Sequence, residues 1–307
     1  GIFRNHALTP NVRLVMAQEQ GILTALVRLC NWKENVRILR NVVCTFDSLA
    51  MEGDSAVAIV LHGDGVVLST LMQLASTNED EVTRRRAARA LRLLARDRAT
   101  PLLVNQADLM MALSDCALHD MSQHVRTEAA EAFTRCASYI RAPMPLHTRI
   151  LQSLTELAQN PVALEAVARA LHQQALHKDN RIPMAEHMGL LRALAEISLR
   201  KSCSDKAKED VTRALHELST EQSNRPKMAI GPVLEALVVS AHDSSNHDLR
   251  VFAINTLLNL ADVASNRKFM VTHAGLLQAL VQFAASQSDV SCKKTLKKTI
   301  MTLVPLL

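Results

Sequence analysis

The chain has 307 residues, 48% apolar but only 3% aromatic, with a formal net charge of +5. Its core must therefore be built from Leu, Ala, Val, Ile and Met, and eight glycines with nine prolines are too few for the turns of an all-β fold or a long disordered linker. No run of 18 uninterrupted apolar residues occurs, and the opening Gly1-Ile2-Phe3-Arg4-Asn5-His6 lacks a basic-then-apolar secretion pattern, so a soluble, intracellular protein without a membrane span is expected.

Along the chain one helical apolar run keeps returning. It occurs as Gly21-Ile22-Leu23-Thr24-Ala25-Leu26, Val66-Val67-Leu68-Ser69-Thr70-Leu71, Asp108-Leu109-Met110-Met111-Ala112-Leu113 and Arg149-Ile150-Leu151-Gln152-Ser153-Leu154. It returns again as Gly189-Leu190-Leu191-Arg192-Ala193-Leu194, Val233-Leu234-Glu235-Ala236-Leu237 and Gly275-Leu276-Leu277-Gln278-Ala279-Leu280. The last three copies are each preceded by Asn-Arg and a Met, at Asn180…Met184, Asn224…Met228 and Asn266…Met270, with offsets of 44 and 42 residues. A second landmark closes each unit: Leu49-Ala50, Leu94-Ala95, Cys136-Ala137, Gln174-Ala175, Leu218-Ser219, Leu260-Ala261 and Leu303-Val304, in steps of 38 to 45 residues. Two landmarks holding one period predict a repeat architecture of seven units, 10–52, 53–98, 99–140, 141–178, 179–222, 223–265 and 266–307, in a single domain.

Each unit is predicted to hold a short first helix, a second helix beginning near the Gly, and a longer third helix. Val82, Ala87, Ala90, Leu91 and Leu94 make one such third helix amphipathic, and polar segments such as Ser76-Thr77-Asn78-Glu79-Asp80 offer its N-cap. Such a unit cannot bury its apolar faces alone, so neighbours stack. The fourth unit should be the least regular, because Pro143, Pro145 and Pro161 interrupt helices there.

Charge is concentrated in one place. Residues 82–98 carry Arg84, Arg85, Arg86, Arg89, Arg92, Arg96 and Arg98 against Asp97, a net +6 that leaves about −1 for the rest of the chain. On a helix Arg85, Arg89, Arg92 and Arg96 share an arc of about 60°, and Glu79, Asp80 and Glu81 relieve only its N-terminal end. The stripe is either a site for an acidic partner or a solvated helix face. Lys293, Lys294, Lys297 and Lys298 form a second, weaker basic cluster.

Chemistry-bearing motifs are otherwise missing from the sequence. There is no phosphate-binding loop, no dinucleotide fingerprint and no His-Glu-x-x-His, and His62-Gly63-Asp64-Gly65 falls where the repeat needs a turn. Cys30, Cys44, Cys116, Cys136, Cys203 and Cys292 form no Cys-x-x-Cys pair, so free thiols are expected rather than disulfides or zinc. The sequence thus predicts no enzyme, no cofactor, no metal and no small-molecule substrate.

The order Asn…Met, Gly-apolar-apolar-x-x-Leu, polar loop and Ala-Leu-x-x-Leu-Ala resembles the armadillo repeat over roughly residues 10–307, with two-helix HEAT repeats as the near neighbour. Membership implies an all-α, right-handed superhelical solenoid whose third helices line a concave groove. It also implies a non-enzymatic protein-binding scaffold of the cytoplasm or nucleus. In importin-like members a Trp and an Asn four residues apart on each third helix hold an extended peptide. The Asn-equivalent positions here are Ser48, Leu93, Arg135, Gln173, Glu217, Asn259 and Thr302, and the Trp-equivalent ones are Cys44, Arg89, Glu131, Arg169, Arg213, Asn255 and Lys298.

Only Asn259 keeps the family residue, so the main-chain clamp is lost and import-receptor activity is not expected. The remaining groove is polar and mixed in charge. Glu131 with Arg135, and Arg213 with Glu217, are expected i,i+4 pairs, and Glu131 falls between Arg89 and Arg169 in the ladder. The expected partner is a protein or peptide, acidic where it meets the arginines. The alternative is nucleic acid or another anionic ligand on the same helix, although Trp32, Tyr139 and six Phe offer no repeated stacking platform. The chain opens just before a first unit and ends on Leu303-Val304-Pro305-Leu306-Leu307 without a polar cap, which leads us to expect a piece of a longer protein.

Overall fold

Segments of 4 to 16 residues, the longer ones mostly amphipathic, fold into helices in a computed structural model of the protein. It describes residues 1–32, 35–96, 99–104, 106–141, 146–242, 246–286, 296, 297, 299–301 and 303. No strand occurs among them. The described residues form two compact units, Gly1–Ile140 and Arg141–Leu307.

The first unit holds α1 (Ile2–Ala7), α2 (Pro10–Gln18), α3 (Gln20–Cys30), α4 (Val36–Leu49), α5 (Gly53–Leu61), α6 (Val66–Thr77), α7 (Glu81–Leu94), α8 (Thr100–Leu103), α9 (Ala107–His119) and α10 (Gln123–Ala137). Its third helices α4, α7 and α10 pack in sequence, as do its second helices α3, α6 and α9. Phe46 and Leu49 of α4, Ala87, Ala88, Ala90, Leu91 and Leu94 of α7, and Ala129, Ala132 and Phe133 of α10 are buried between them. Alanine on the facing sides lets the helices approach closely while leucine and phenylalanine fill the space to either side.

The second unit holds α11 (His147–Leu157), α12 (Leu164–Ala175), α13 (Lys178–Glu186), α14 (Leu190–Leu199), α15 (Asp205–Thr220), α16 (Arg225–Met228), α17 (Gly231–His242), α18 (His247–Ala261), α19 (Ala264–Val271) and α20 (Leu276–Ser286). Here α12, α15 and α18 pack in sequence as third helices. First helices begin at Pro10, Gly53, Thr100, Lys178 and Ala264, each within two residues of an expected unit start. In the unit that starts near 223, a 3-10 turn at Gln222–Asn224 leads into the short α16. In the fourth unit Pro161 sits in the turn before α12, whereas Pro143 and Pro145 lie outside the described residues.

Gly53–Thr77 has the length and apolar composition of a membrane span when read as one window, which counting uninterrupted apolar residues overlooks. It is not one straight helix. Gly63, Asp64 and Gly65 take φ of +54°, +53° and +87°, and this left-handed turn parts α5 from α6. Two glycines make it accessible, and aspartate is among the few other residues that tolerate the region.

In the second unit a side-chain clamp joins the third helices α12, α15 and α18 to the segments that follow them. The last carbonyls of a helix have no partner within it and carry the negative end of its dipole. Asn224 Nδ2 donates to Leu218 O at 3.1 Å and to Arg181 O at 3.0 Å, so one carboxamide at the start of a unit ties it to the third and first helices of the preceding one. Asn266 repeats this with Leu260 O and Arg225 O, both at 3.0 Å, and Asn180 donates to Gln174 O at 3.1 Å. The next residue caps the same end: Arg181, Arg225 and Arg267 donate through Nε to Ala175, Ser219 and Ala261 carbonyls at 2.8–2.9 Å. Arg13 makes the same bond to Ala7 O at 2.9 Å, three residues before the buried Met16, as Arg181 stands before Met184. Replacing Asn224 with Ala leaves two carbonyls short of a donor in a buried site, and urea unfolding should register a loss of about 1–3 kcal/mol.

Candidate functional site on the third helices

Helix α7 is laid down by Asp80, whose carboxylate caps it by accepting from Thr83 N at 2.9 Å and Thr83 Oγ1 at 2.7 Å. Its buried face is Ala and Leu, so the arginines occupy the rest of its circumference. They divide into two sets. Arg84 meets Asp120 at 2.9 Å and Arg86 meets Asp47 at 2.7 Å. Arg89 Nε lies 3.4 Å from the other oxygen of Asp47. Arg92 pairs with Glu128 through Nε and reaches Glu131 at 3.5 Å. By contrast, the guanidinium group of Arg85, and that of Arg96, which lies past the end of α7 at Leu94 and so off the expected helical stripe, make no ion pair or hydrogen bond among the described residues.

The neutralising carboxylates are therefore not Glu79 and Glu81 upstream but residues one repeat away. Asp47 is only 2% exposed, and its burial between α4 and α7 is tolerable because two guanidinium groups face it. Asp120 and Glu128 each stand 36 residues beyond the arginine they meet. The signal lay in opposite charges offset by roughly one repeat, which a reading confined to a single helix does not reach. Asp80 itself is held by Arg40, at 2.5 and 3.0 Å. The hydrogen bonds from Arg40 keep its carboxyl well below the usual carboxylate range.

The ladder residues sit on third helices with solvent-facing side chains: Arg89 and Glu131 in the first unit, Arg169, Arg213 and Asn255 in the second. Lys298 lies outside the described residues. Glu131 and Arg135 form the expected i,i+4 pair at 3.4 Å, and Arg169 adds one with Glu165 at 3.6 Å. The expected pairing of Arg213 with Glu217 does not form. Arg213 turns back to Glu209 at 2.6 Å and stacks over Phe252, 5.0 Å from the ring centre. Glu217 is drawn to Arg181 at 2.5 Å, the clamp arginine of its own unit.

Asn259 donates to Ser219 Oγ at 2.9 Å, one repeat back, which engages the amide that the family resemblance assigns to a peptide. Gln173 is exposed, while Ser48 and Leu93 at equivalent positions are buried. Burial would raise the Asp210 carboxyl beneath α12 and α15, but His172 at 3.1 Å and Lys206 at 3.5 Å hold it below its ordinary value. No cluster of metal-ligating side chains occurs among the described residues. Cys30, Cys44, Cys116, Cys136 and Cys203 are free, and burial pushes the Cys30 and Cys136 thiols up to about 12.

No protein-family model and no curated protein matches the chain. Solved structures do. An engineered protein solved by crystallography is 19% identical with a TM-score of 0.70, over 99% of this chain and 76% of that one. A designed armadillo repeat protein is 17% identical with a TM-score of 0.62, over 78% of this chain and 99% of that one. Computationally designed armadillo repeat proteins for modular peptide recognition give 17% and 0.62, over 77% and 99%. The fold is an armadillo-type solenoid. The three-helix units, the positive-φ glycines before α6, α14 and α20, and the stacked third helices are all features of this armadillo-like architecture.

Because Asp80 has a depressed folded-state pKa, its charge contributes stability above the ordinary carboxylate pKa of about 4, and that contribution is lost as pH falls through the folded value. Asp80→Asn keeps a good N-cap and removes the charge. The wild-type advantage over Asp80→Asn in thermal melts should be present at neutral pH and shrink progressively below about pH 4.

Proposed function

We propose that the chain is a non-enzymatic scaffold that binds an acidic protein or peptide across its third-helix face. The observation that carries this reading is the division of the α7 arginines. Four are tied to carboxylates, whereas Arg85 on the helix and Arg96 just beyond its end hold their charge open. A guanidinium fork left open suits a carboxylate or phosphate that arrives from outside. Within the second unit, Arg169, Gln173 and Asn255 give the third helices a polar, mixed character suited to an irregular partner rather than to a repeating main-chain clamp, as Arg135 does in the first. The likeness to armadillo proteins designed for modular peptide recognition supports the same class of ligand.

The pairing pattern divides the variants. Arg85→Glu with Arg96→Glu should abolish capture of the partner in a pull-down read by mass spectrometry, with the melting temperature nearly unchanged. Wild-type binding should weaken as salt shortens the Debye length from about 10 Å toward 3 Å. Arg89→Glu with Arg92→Glu should instead lower stability, because Asp47 and Glu128 are left facing a like charge. A partner retained by the Arg85/Arg96 variant would remove α7 from the binding surface. Short RNA or DNA captured in its place, in a gel shift, would turn the reading to nucleic acid.

A further inference from the structure

We propose that the cleft between α7 and α10 receives a single phosphorylated side chain of a bound peptide. This rests on the scaffold reading and names the acid that the scaffold takes. The cleft has a volume of about 310 Å³ and is lined by Arg85, Arg86 and Arg89 of α7 and by His124, Thr127 and Glu128 of α10.

Charge selects the ligand. Three arginines line the α7 wall, and Asp47 offsets one positive charge. Glu128 is the acidic residue in the lining, and it is already joined to Arg92. Two positive charges remain. A carboxylate would cancel one of them, whereas a phosphate monoester brings about −1.5 to −2 and three strong acceptor oxygens.

The donors are in place as well. Arg85 has all its side-chain N–H groups uncommitted among the described residues, and Arg89 comes no closer to Asp47 than 3.4 Å, without a hydrogen bond to it. His124 adds an exposed ring nitrogen on the opposite wall. Thr127 serves as wall only, since its hydroxyl donates to Gln123 O at 2.9 Å.

A peptide is favoured over a polyanion by the distribution of charge. Duplexes and anionic membranes reward basic tracts that span many phosphates. Here Arg84 and Arg92 on either side are already paired with Asp120 and Glu128, so no open basic tract runs along α7 from the cleft.

The test uses the whole chain and degenerate peptide pools that differ only at a fixed central phosphoserine, glutamate or serine, titrated by calorimetry. Inorganic phosphate is titrated in parallel while the arginine side-chain N–H signals are followed by NMR. The phosphoserine pool should bind about tenfold more tightly than the glutamate pool or better. Arg85→Glu should erase that ratio, and Arg96→Glu, outside the cleft, should preserve it. Phosphate should shift the Arg85 and Arg89 signals.

Equal binding of the phosphoserine and glutamate pools would overturn the pocket and leave the scaffold reading standing. A phosphoserine advantage that survives Arg85→Glu would overturn it too. Binding by no pool would overturn both. Tighter binding of a short RNA or of phosphoinositide vesicles than of any pool would overturn the assignment to a peptide.

Discussion

A third helix in this fold is apolar on more of its surface than its own unit can cover, and the third helix of the next unit covers the remainder. In α7 this falls on Ala87, Ala88, Ala90, Leu91 and Leu94, which are buried with α4 and α10 packed alongside as well as α6 of its own unit. Burial of this kind holds neighbours together but does not set their angle or register, since apolar contact is non-directional. Direction comes, after α12, α15 and α18, from the Asn–Arg clamp, where a carboxamide and a guanidinium bind particular carbonyls of the helix before them. The clamp exists because those carbonyls need donors, so a liability of helix ends becomes the joint between units.

The same division of labour explains the arginines. Arg84, Arg86 and Arg92 fasten neighbouring helices by reaching carboxylates in the next or previous repeat. Asp47 would be costly to bury alone and is stabilised by the guanidinium groups it accepts. Once those bonds are drawn, what remains on α7 is a smaller and sharper feature than a basic stripe. One open guanidinium group, that of Arg85, stands on the helix over a cleft whose other wall carries His124, Thr127 and Glu128, and the second, that of Arg96, lies just beyond the end of the helix.

Much of this was legible in the sequence, because a period can be read without knowing any contact. The repeated apolar run, the Leu-Ala closures and the glycines before second helices all follow from the 3.6-residue turn and from left-handed φ, which leave marks in neighbouring residues. The copy at Arg13 and Met16 went unread, because Val12 takes the place of the Asn-Arg pair's partner and only the bond to Ala7 reveals it. Pairing was harder still. Arg213 and Glu217 stand at ideal helical spacing, yet each finds a better partner, one in Glu209 and one in Arg181 of another helix. Local spacing states which pairs are possible on one helix, and tertiary packing chooses among them. The burial of Asp47 carries no local signal at all, since it depends on what stands 39 residues further on.

The clamp has a consequence for how such a chain can lengthen over evolutionary time. Its bonds join residues six apart at a junction, while its ties between units run 41 and 43 residues along the chain. A duplication that copies one whole unit therefore reproduces every donor opposite every acceptor, and the new junction is born satisfied. An insertion of a few residues inside a third helix breaks that correspondence on both sides at once. Growth is thus quantised: the genetic steps that preserve the joint are those that add or remove complete units, and a solenoid held together in this way can change its length far more readily than its period.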